Sequence, residues 1–340
     1  MQHKKLLVAM VAAGLSMPAL AAADITIYGR AHLSVDLLDD GADYSEVNIS
    51  SNSSRLGFKG ERQFTPELTA IFQIEQEIQF DSSESGETFT TRDTFAGLKG
   101  DWGMLRIGRF DTSFKRARGP ANFFGDQVGD LRNIARTTDH GRFDERFRNT
   151  LHYRTPTLNG FVWDLDFSTD HRNQTTAEGG DNRAYSTSLN YKNGPFTGAV
   201  AFERQNIENS PNPEAWRLAA AYQITPEFTL AGFYQKSESA AENEGTVVGV
   251  AGQYRLSPTM YLNAHYFALD SDLTDKDANL FALGLEYRVD RALRFYGNFA
   301  MMDNDDASAL NPWSQARTSG PSGVAGETAT AFSLGMRYDF

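Results

Sequence analysis

The 340-residue chain contains no cysteine. Disulfide staples and thiolate metal sites are therefore excluded, and stability has to come from a large hydrogen-bonded framework. Long apolar runs are also missing. Beyond residue 23 no stretch approaches the 18 residues that a membrane-spanning helix needs. Positive charge is scarce: 32 Lys and Arg stand against 44 Asp and Glu, a formal net charge of −12. Nucleic acid selects basic surfaces, so this balance argues against it as a partner. Catalytic signatures are missing too. The six histidines are scattered, and there is no His-Glu-x-x-His, no phosphate-loop glycine motif and no Gly-x-Ser-x-Gly. No enzyme activity and no cofactor is expected. The acidic runs Asp270-x-Asp272-x-x-Asp275-x-Asp277 and Asp303-Asn304-Asp305-Asp306 lack the Gly and closing Glu of a calcium loop. They read as solvated loop charge, with weak calcium binding as the alternative, and no metal site is expected.

What is present begins with a leader. Lys4 and Lys5 precede the short apolar run Leu6–Leu15, and Pro18-Ala19-Leu20-Ala21-Ala22-Ala23 offers small residues for cleavage after Ala21 or after Ala23. Residues 1–23 therefore predict a removed secretory signal, too short to anchor in a bilayer. The domain reading is a leader over 1–23 and one β-domain over 24–340.

From residue 25 onward the dominant period is two. Ile25, Ile27, Gly29, Ala31, Leu33, Val35 and Leu37 alternate with Thr26, Tyr28, Arg30, His32, Ser34 and Asp36, the signature of a strand with one apolar face. Further strands are predicted near Ser53–Gln63, Leu68–Phe80, Arg92–Gly100, Gly103–Gly108, Arg146–Arg154 and Phe161–Thr169. Nine more follow at 184–192, 196–205, 214–224, 228–237, 246–256, 260–270, 278–289, 292–303 and 327–340, making sixteen. The fourth is ambiguous, because Phe95 and Leu98 have opposite parity. A repeat marks one end of these strands: Tyr153-Arg154-Thr155-Pro156, Tyr191 to Pro195, Tyr222 to Pro226, Tyr254 to Pro258 and Tyr287 to Asp290. Proline breaks the ladder where a strand must stop. Connectors at the opposite ends are longer and acidic, as in Asp39–Ser51, Asp81–Thr88, Asp170–Asn182, Asp270–Asp277 and Asp303–Glu327. Short turns at one end and long polar loops at the other describe an outer-membrane barrel.

One face of seven strands carries the test. Alternate positions in 161–167, 196–202, 216–222, 228–234, 248–254, 293–301 and 332–340 hold only aliphatic, aromatic or Gly residues, and fifteen of these thirty are aromatic. The opposite faces hold Asp164, Asp166, Glu203, Arg217, Arg294, Arg337 and Asp339. A lipid-facing Arg or Lys costs roughly 2–4 kcal/mol at mid-bilayer, so a face purged of charge fits lipid. A soluble sandwich or propeller also has an apolar inner face, but this chain shows no linker and no blade signature.

Arg109–Glu145 breaks the pattern, with seven basic and six acidic residues and no sustained period. A loop of this length inside a compact domain is usually functional or disordered. In a sealed barrel, every backbone group is satisfied between strands, and sixteen strands leave a bore too wide for side chains to fill. The stretch is expected to fold into the bore as a constriction loop and narrow it.

The residues then show a resemblance. Tyr28-Gly29-Arg30, Ser54-Arg55-Leu56-Gly57-Phe58-Lys59-Gly60-Glu61, Arg92-x-x-Phe95-Ala96-Gly97-Leu98-Lys99-Gly100, Ile107-Gly108-Arg109 and the closing Ala331–Phe340 lie in the order found in the general diffusion porins of Gram-negative outer membranes. The chain resembles that trimeric, sixteen-stranded family over essentially its whole length beyond the leader. The resemblance implies an all-β transmembrane antiparallel β-barrel of 16 strands in a Gram-negative outer membrane, with a long third loop in the lumen. It implies passive diffusion of small hydrophilic solutes and ions, with a substrate-specific channel for sugar, nucleoside or phosphate as the alternative. It also implies a basic wall at Arg30, Arg55, Arg92 and Arg146, with Arg148 close enough to be the counterpart of the last. Asp126 and Asp130 are the facing acids, in Phe123-Phe124-Gly125-Asp126-Gln127-Val128-Gly129-Asp130. Tyr338 and Phe340 match a terminal assembly signal. Implied partners are the lipid bilayer and lipopolysaccharide, two further copies of the chain, and the outer-membrane assembly machinery.

Overall fold

Strict alternation along the chain has one outcome here, a single antiparallel sheet closed on itself. The computed structural model describes residues 24–81, 92–172, 182–316 and 320–340. The expected leader lies outside them. The strands are β1 (Asp24–Asp39), β2 (Ser45–Ser51), β3 (Arg55–Thr65), β4 (Leu68–Glu77), β5 (Thr94–Gly100), β6 (Gly103–Asp111), β7 (Arg146–Arg154) and β8 (Phe161–Ser168). There follow β9 (Ala184–Asn193), β10 (Phe196–Gln205), β11 (Glu214–Gln223), β12 (Phe228–Glu238), β13 (Glu244–Arg255), β14 (Met260–Ser271), β15 (Ala278–Arg288), β16 (Leu293–Asn304) and β17 (Ala329–Asp339). Both β2 and β3 pair with β1, so they are two halves of one broken strand and the cylinder has sixteen walls.

The seam is β1 on β17, in register from Arg30 opposite Asp339 to Asp39 opposite Thr330. Phe340 completes it, exchanging backbone hydrogen bonds of 2.9 and 3.1 Å with Gly29. A Cβ at Gly29 would sit 2.4 Å from the Phe340 ring, so only glycine allows this closure. Just above, buried Asp36 accepts from Ser50 Oγ (2.5 Å) and Ser333 Oγ (2.6 Å), tying β1 to both neighbours.

Alternation sorts the side chains as the pattern requires. On β11, Trp216 and Leu218 are 53% and 48% exposed on the outside, while Arg217 between them is 1% exposed on the inside. Three of the five Tyr-marked turns share one geometry: Ile224 donates to Phe228 O (2.8 Å), Leu256 to Met260 O (2.9 Å) and Val289 to Leu293 O (3.0 Å). No helix among the described residues is long and apolar enough to cross a membrane. The lipid-facing surface is built by strands instead.

Three local expectations need correction. The stretch 39–51 is not one long connector, because Ser45–Ser51 is paired strand. Its alternation is short and polar, and the break at 52–54, where Ser53 has φ 57°, hides its continuity with β3. Strand β4 ends at Glu77 rather than Phe80. Arg92 precedes β5 instead of lying in it. The parity conflict in β5 has a physical cause. Leu98 faces out, whereas the Phe95 ring lies under Arg106, 4.6 Å from its guanidinium, beside the buried Phe110. An aromatic points inward because an arginine stacks on it.

Candidate pore constriction

The segment between β6 and β7 lies against the inward face of the wall. It holds two single-turn helices, α1 (Ser113–Arg116) and α2 (Arg132–Ala135), and a 3-10 turn at Gly119–Ala121. Pieces this short leave no period in sequence. Thr112 caps α1, accepting from Lys115 N (3.2 Å). Ser113 docks the turn on β8, donating from N and Oγ to Asp166 (2.6 and 2.5 Å). Arg217 of β11 reaches in to Phe114 O (2.9 Å) and Asp144 (2.6 Å), and stacks 3.9 Å from the Phe114 ring. Arg217 and Asp144 are both fully buried. Burial alone would raise the Asp144 carboxyl, but Arg217 and Arg118 outweigh it and hold it low.

Beyond α1 the loop becomes a second hydrophobic core inside the cylinder. Phe124, Val128, Leu131 and Ile134 pack on Phe267, Leu280, Ala282, Ala300 and Met302 of the wall. Phe124 meets His265 edge-on at 4.7 Å. Gly129 (φ 87°) makes the closest approach: a Cβ there would sit 2.7 Å from the Ala282 methyl. The connector between β16 and β17 clasps the same turn. Pro312 O accepts from Gly129 N (2.7 Å) and Asn133 Nδ2 (2.8 Å), and Trp313 is buried in the cluster. In sequence this connector, Asp303–Glu327, reads only as long and acidic. The only signal for it was Asn311-Pro312-Trp313, a turn followed by a large aromatic.

The packed loop presents Asp126 to the opposite wall. Arg30 of β1 and Arg55 of β3 face each other in register and approach Asp126 to 3.4 and 3.6 Å. Arg132 of the loop lies 2.9 Å from the same carboxylate. Burial would raise Asp126, but Arg132, Arg55 and Arg92 outweigh it and hold it well below the ordinary range. Arg92 shares Glu75 with Arg55, at 2.7 and 3.7 Å. Arg146 stands further along, between Asp93 (2.8 Å) and Asp111 (2.9 Å). Arg148 lies at the mouth beside Arg172 and outside this ladder.

Asp130 sits elsewhere. Its carboxylate is fully buried inside the loop turn, accepting from Asp126 N (2.7 Å), Arg132 N (2.9 Å) and the Arg132 guanidinium. The geometry makes it a brace for Asp126, which has φ 60°. Lys115 pairs with Asp111 at 2.9 Å, and burial pushes its ammonium down to about 8. A further cluster went unnoticed in sequence: Asp164 gathers His152 (2.8 Å), Arg154 (3.3 Å) and Arg116 (3.5 Å) below the loop. Two acids of the Asp270–Asp277 run accept from backbone amides, Asp277 from Ser271 N and Asp272 from Glu244 N, both at 2.8 Å.

A closed sixteen-walled barrel, oily outside and charged inside, with a loop docked on its inner wall, is a transmembrane channel. The chain belongs to the Gram-negative porin family, whose model matches residues 7–307. It is 26% identical to outer membrane porin protein 32 of Delftia acidovorans, across 99% of this chain and all of that one. It is 27% identical to the major outer membrane protein P.IB of Neisseria sicca, across 76% of this chain and 80% of the relative. Among solved structures, an anion-selective porin from Comamonas acidovorans superposes with a TM-score of 0.81 at 22% identity, covering 94% of this chain and all of that one. This protein is an outer-membrane porin of a Gram-negative bacterium, and its barrel is a channel for solutes.

Proposed function

We propose that the channel passes small hydrophilic solutes and ions by general diffusion past a constriction, or eyelet, lined by Arg30, Arg55, Arg92 and Arg146, with Asp126 docked on the arginines from the loop side and Asp130 bracing it. One observation carries this reading: Arg30 and Arg55 from the wall and Arg132 from the loop converge on the single Asp126 carboxylate. Opposed charge creates a transverse field that orients dipoles and sorts ions. The screening length in physiological salt is about 8 Å, so the field spans the eyelet and fades in the wider vestibules. The Asp126→Asn protein should show a reversal potential shifted toward anions in planar bilayers. No shift would remove Asp126 from the ion path.

We further infer a homotrimer in contact with lipopolysaccharide, assembled by machinery that reads the last strand. One structural neighbour is described as a trimer form of a Vibrio cholerae outer membrane protein. Tyr338 and Phe340 lie exposed on the outer face, where a pairing receptor would meet them. Expected outcomes are a detergent-corrected mass of three protomers and slowed assembly in cells when a charged tail follows Phe340. A monomeric mass or unchanged assembly would overturn the respective inference.

A further inference from the structure

Longer connectors of such barrels face the cell exterior. At that mouth lies a cavity of about 590 Å³ whose wall includes Arg109, Arg136, Arg142, Arg146, Arg148 and Arg172. Its volume is that of a small-molecule site. Six guanidiniums face one carboxylate, Glu145, within the lining. Arg136 takes up Glu145. Arg146 is engaged from outside the cavity by Asp93 and Asp111. Arg142, Arg148 and Arg172 are exposed and have no carboxylate in ion-pair reach among the described residues.

Two of these three are held in place by hydrogen bonds. Arg148 Nη1 donates to Arg172 O (3.5 Å), and Arg172 Nε donates to His171 Nε2 (3.2 Å). His171 Nδ1 in turn donates to Asn182 O (2.6 Å). That chain of bonds needs a neutral imidazole with its proton on Nδ1, and burial lowers the affinity of His171 for a second proton. Arg172 is thus positioned, with Arg148 resting against its backbone carbonyl. Their mutual repulsion is relieved by an anion of more than one charge. The planar fork of Arg matches carboxylate and phosphoryl groups two oxygens at a time.

We propose that this cavity is an entry site for small polyanions bearing two or three carboxylate or phosphoryl groups. It goes beyond the diffusion reading, because entry from outside becomes saturable for such solutes, and it does not depend on the eyelet. The experiment uses the purified full barrel in planar bilayers, with citrate and pyrophosphate added separately to each side of the membrane. Either probe should reduce the chloride current at lower concentration from one side than from the other. Arg142→Gln/Arg148→Gln/Arg172→Gln should raise the half-blocking concentration on the sensitive side by about tenfold or more, the scale of focusing by a one-signed cleft. Its conductance in concentrated potassium chloride should match that of the parent, which shows that the variant has folded. A block by citrate alone assigns the site to carboxylates, and by pyrophosphate alone to phosphoryl groups; either supports it. Equal block from both sides, or the same half-blocking concentration in parent and variant, would overturn the proposal. Asp126→Asn should leave the block intact, so an error in the eyelet shows up separately.

Discussion

The inside of this barrel has two unlike halves. Along β1 and β3–β7 the inward face carries Arg30, Arg55, Arg106 and Arg146, which interact through charge and stay partly wet, around a buried Glu75. Along β11–β17 it carries Ala219, Ala231, Ala251, Ala282, Ala300 and Ala331, with Phe267, Leu280 and Met302 among them. The first half is a pore wall. The second is a floor of small side chains that leaves volume for the loop to pack as a protein core does. On the proposed reading the water path runs beside the charged half, and Asp126 is the point where the packed half reaches it.

The largest test of this division is to remove the packed half's tenant. Deleting part of Gly119–Gly129 should raise single-channel conductance severalfold and admit larger sugars, because the floor alone does not fill the bore. Unchanged conductance with an intact barrel would mean that the loop does not narrow the path. A smaller effect is expected from Arg217→Met. Removing one partner of a buried ion pair leaves Asp144 only the more distant Arg118, at 3.6 Å, and costs up to roughly 3–5 kcal/mol. The cost falls on the docked loop rather than on the sheet, so flickering currents should appear without loss of the barrel's β signal. A quiet channel in that variant would show that the loop is held by its apolar contacts alone.

Sheet and lumen were legible in sequence to different degrees, for physical reasons. A lipid-facing strand must be apolar at every second residue, so Trp216 and Leu218 announce their side and place Arg217 on the other. The seam was legible because its last strand, Phe332 to Phe340, repeats that rule. The ladder came through resemblance, and the structure brings Arg30, Arg55 and Arg92 together through Asp126 and Glu75. The inside obeys no period. Asp130 has the same side chain as Asp126 and lies four residues away, yet one braces and the other faces the wall, because a positive-φ turn separates them. Trp313 gave no periodic signal either, since the cluster its ring joins is built from the β6–β7 loop and the wall.

Gly129 seats on the methyl groups of Ala282 and Ala300, on the side of the loop that packs against the wall. On the proposed reading of the constriction, a bulkier side chain at Ala282 or Ala300 should shift the docked loop, and with it Asp126. A sieve adjusted from its back plate can change what the cell lets in while every arginine of its front stays where it is.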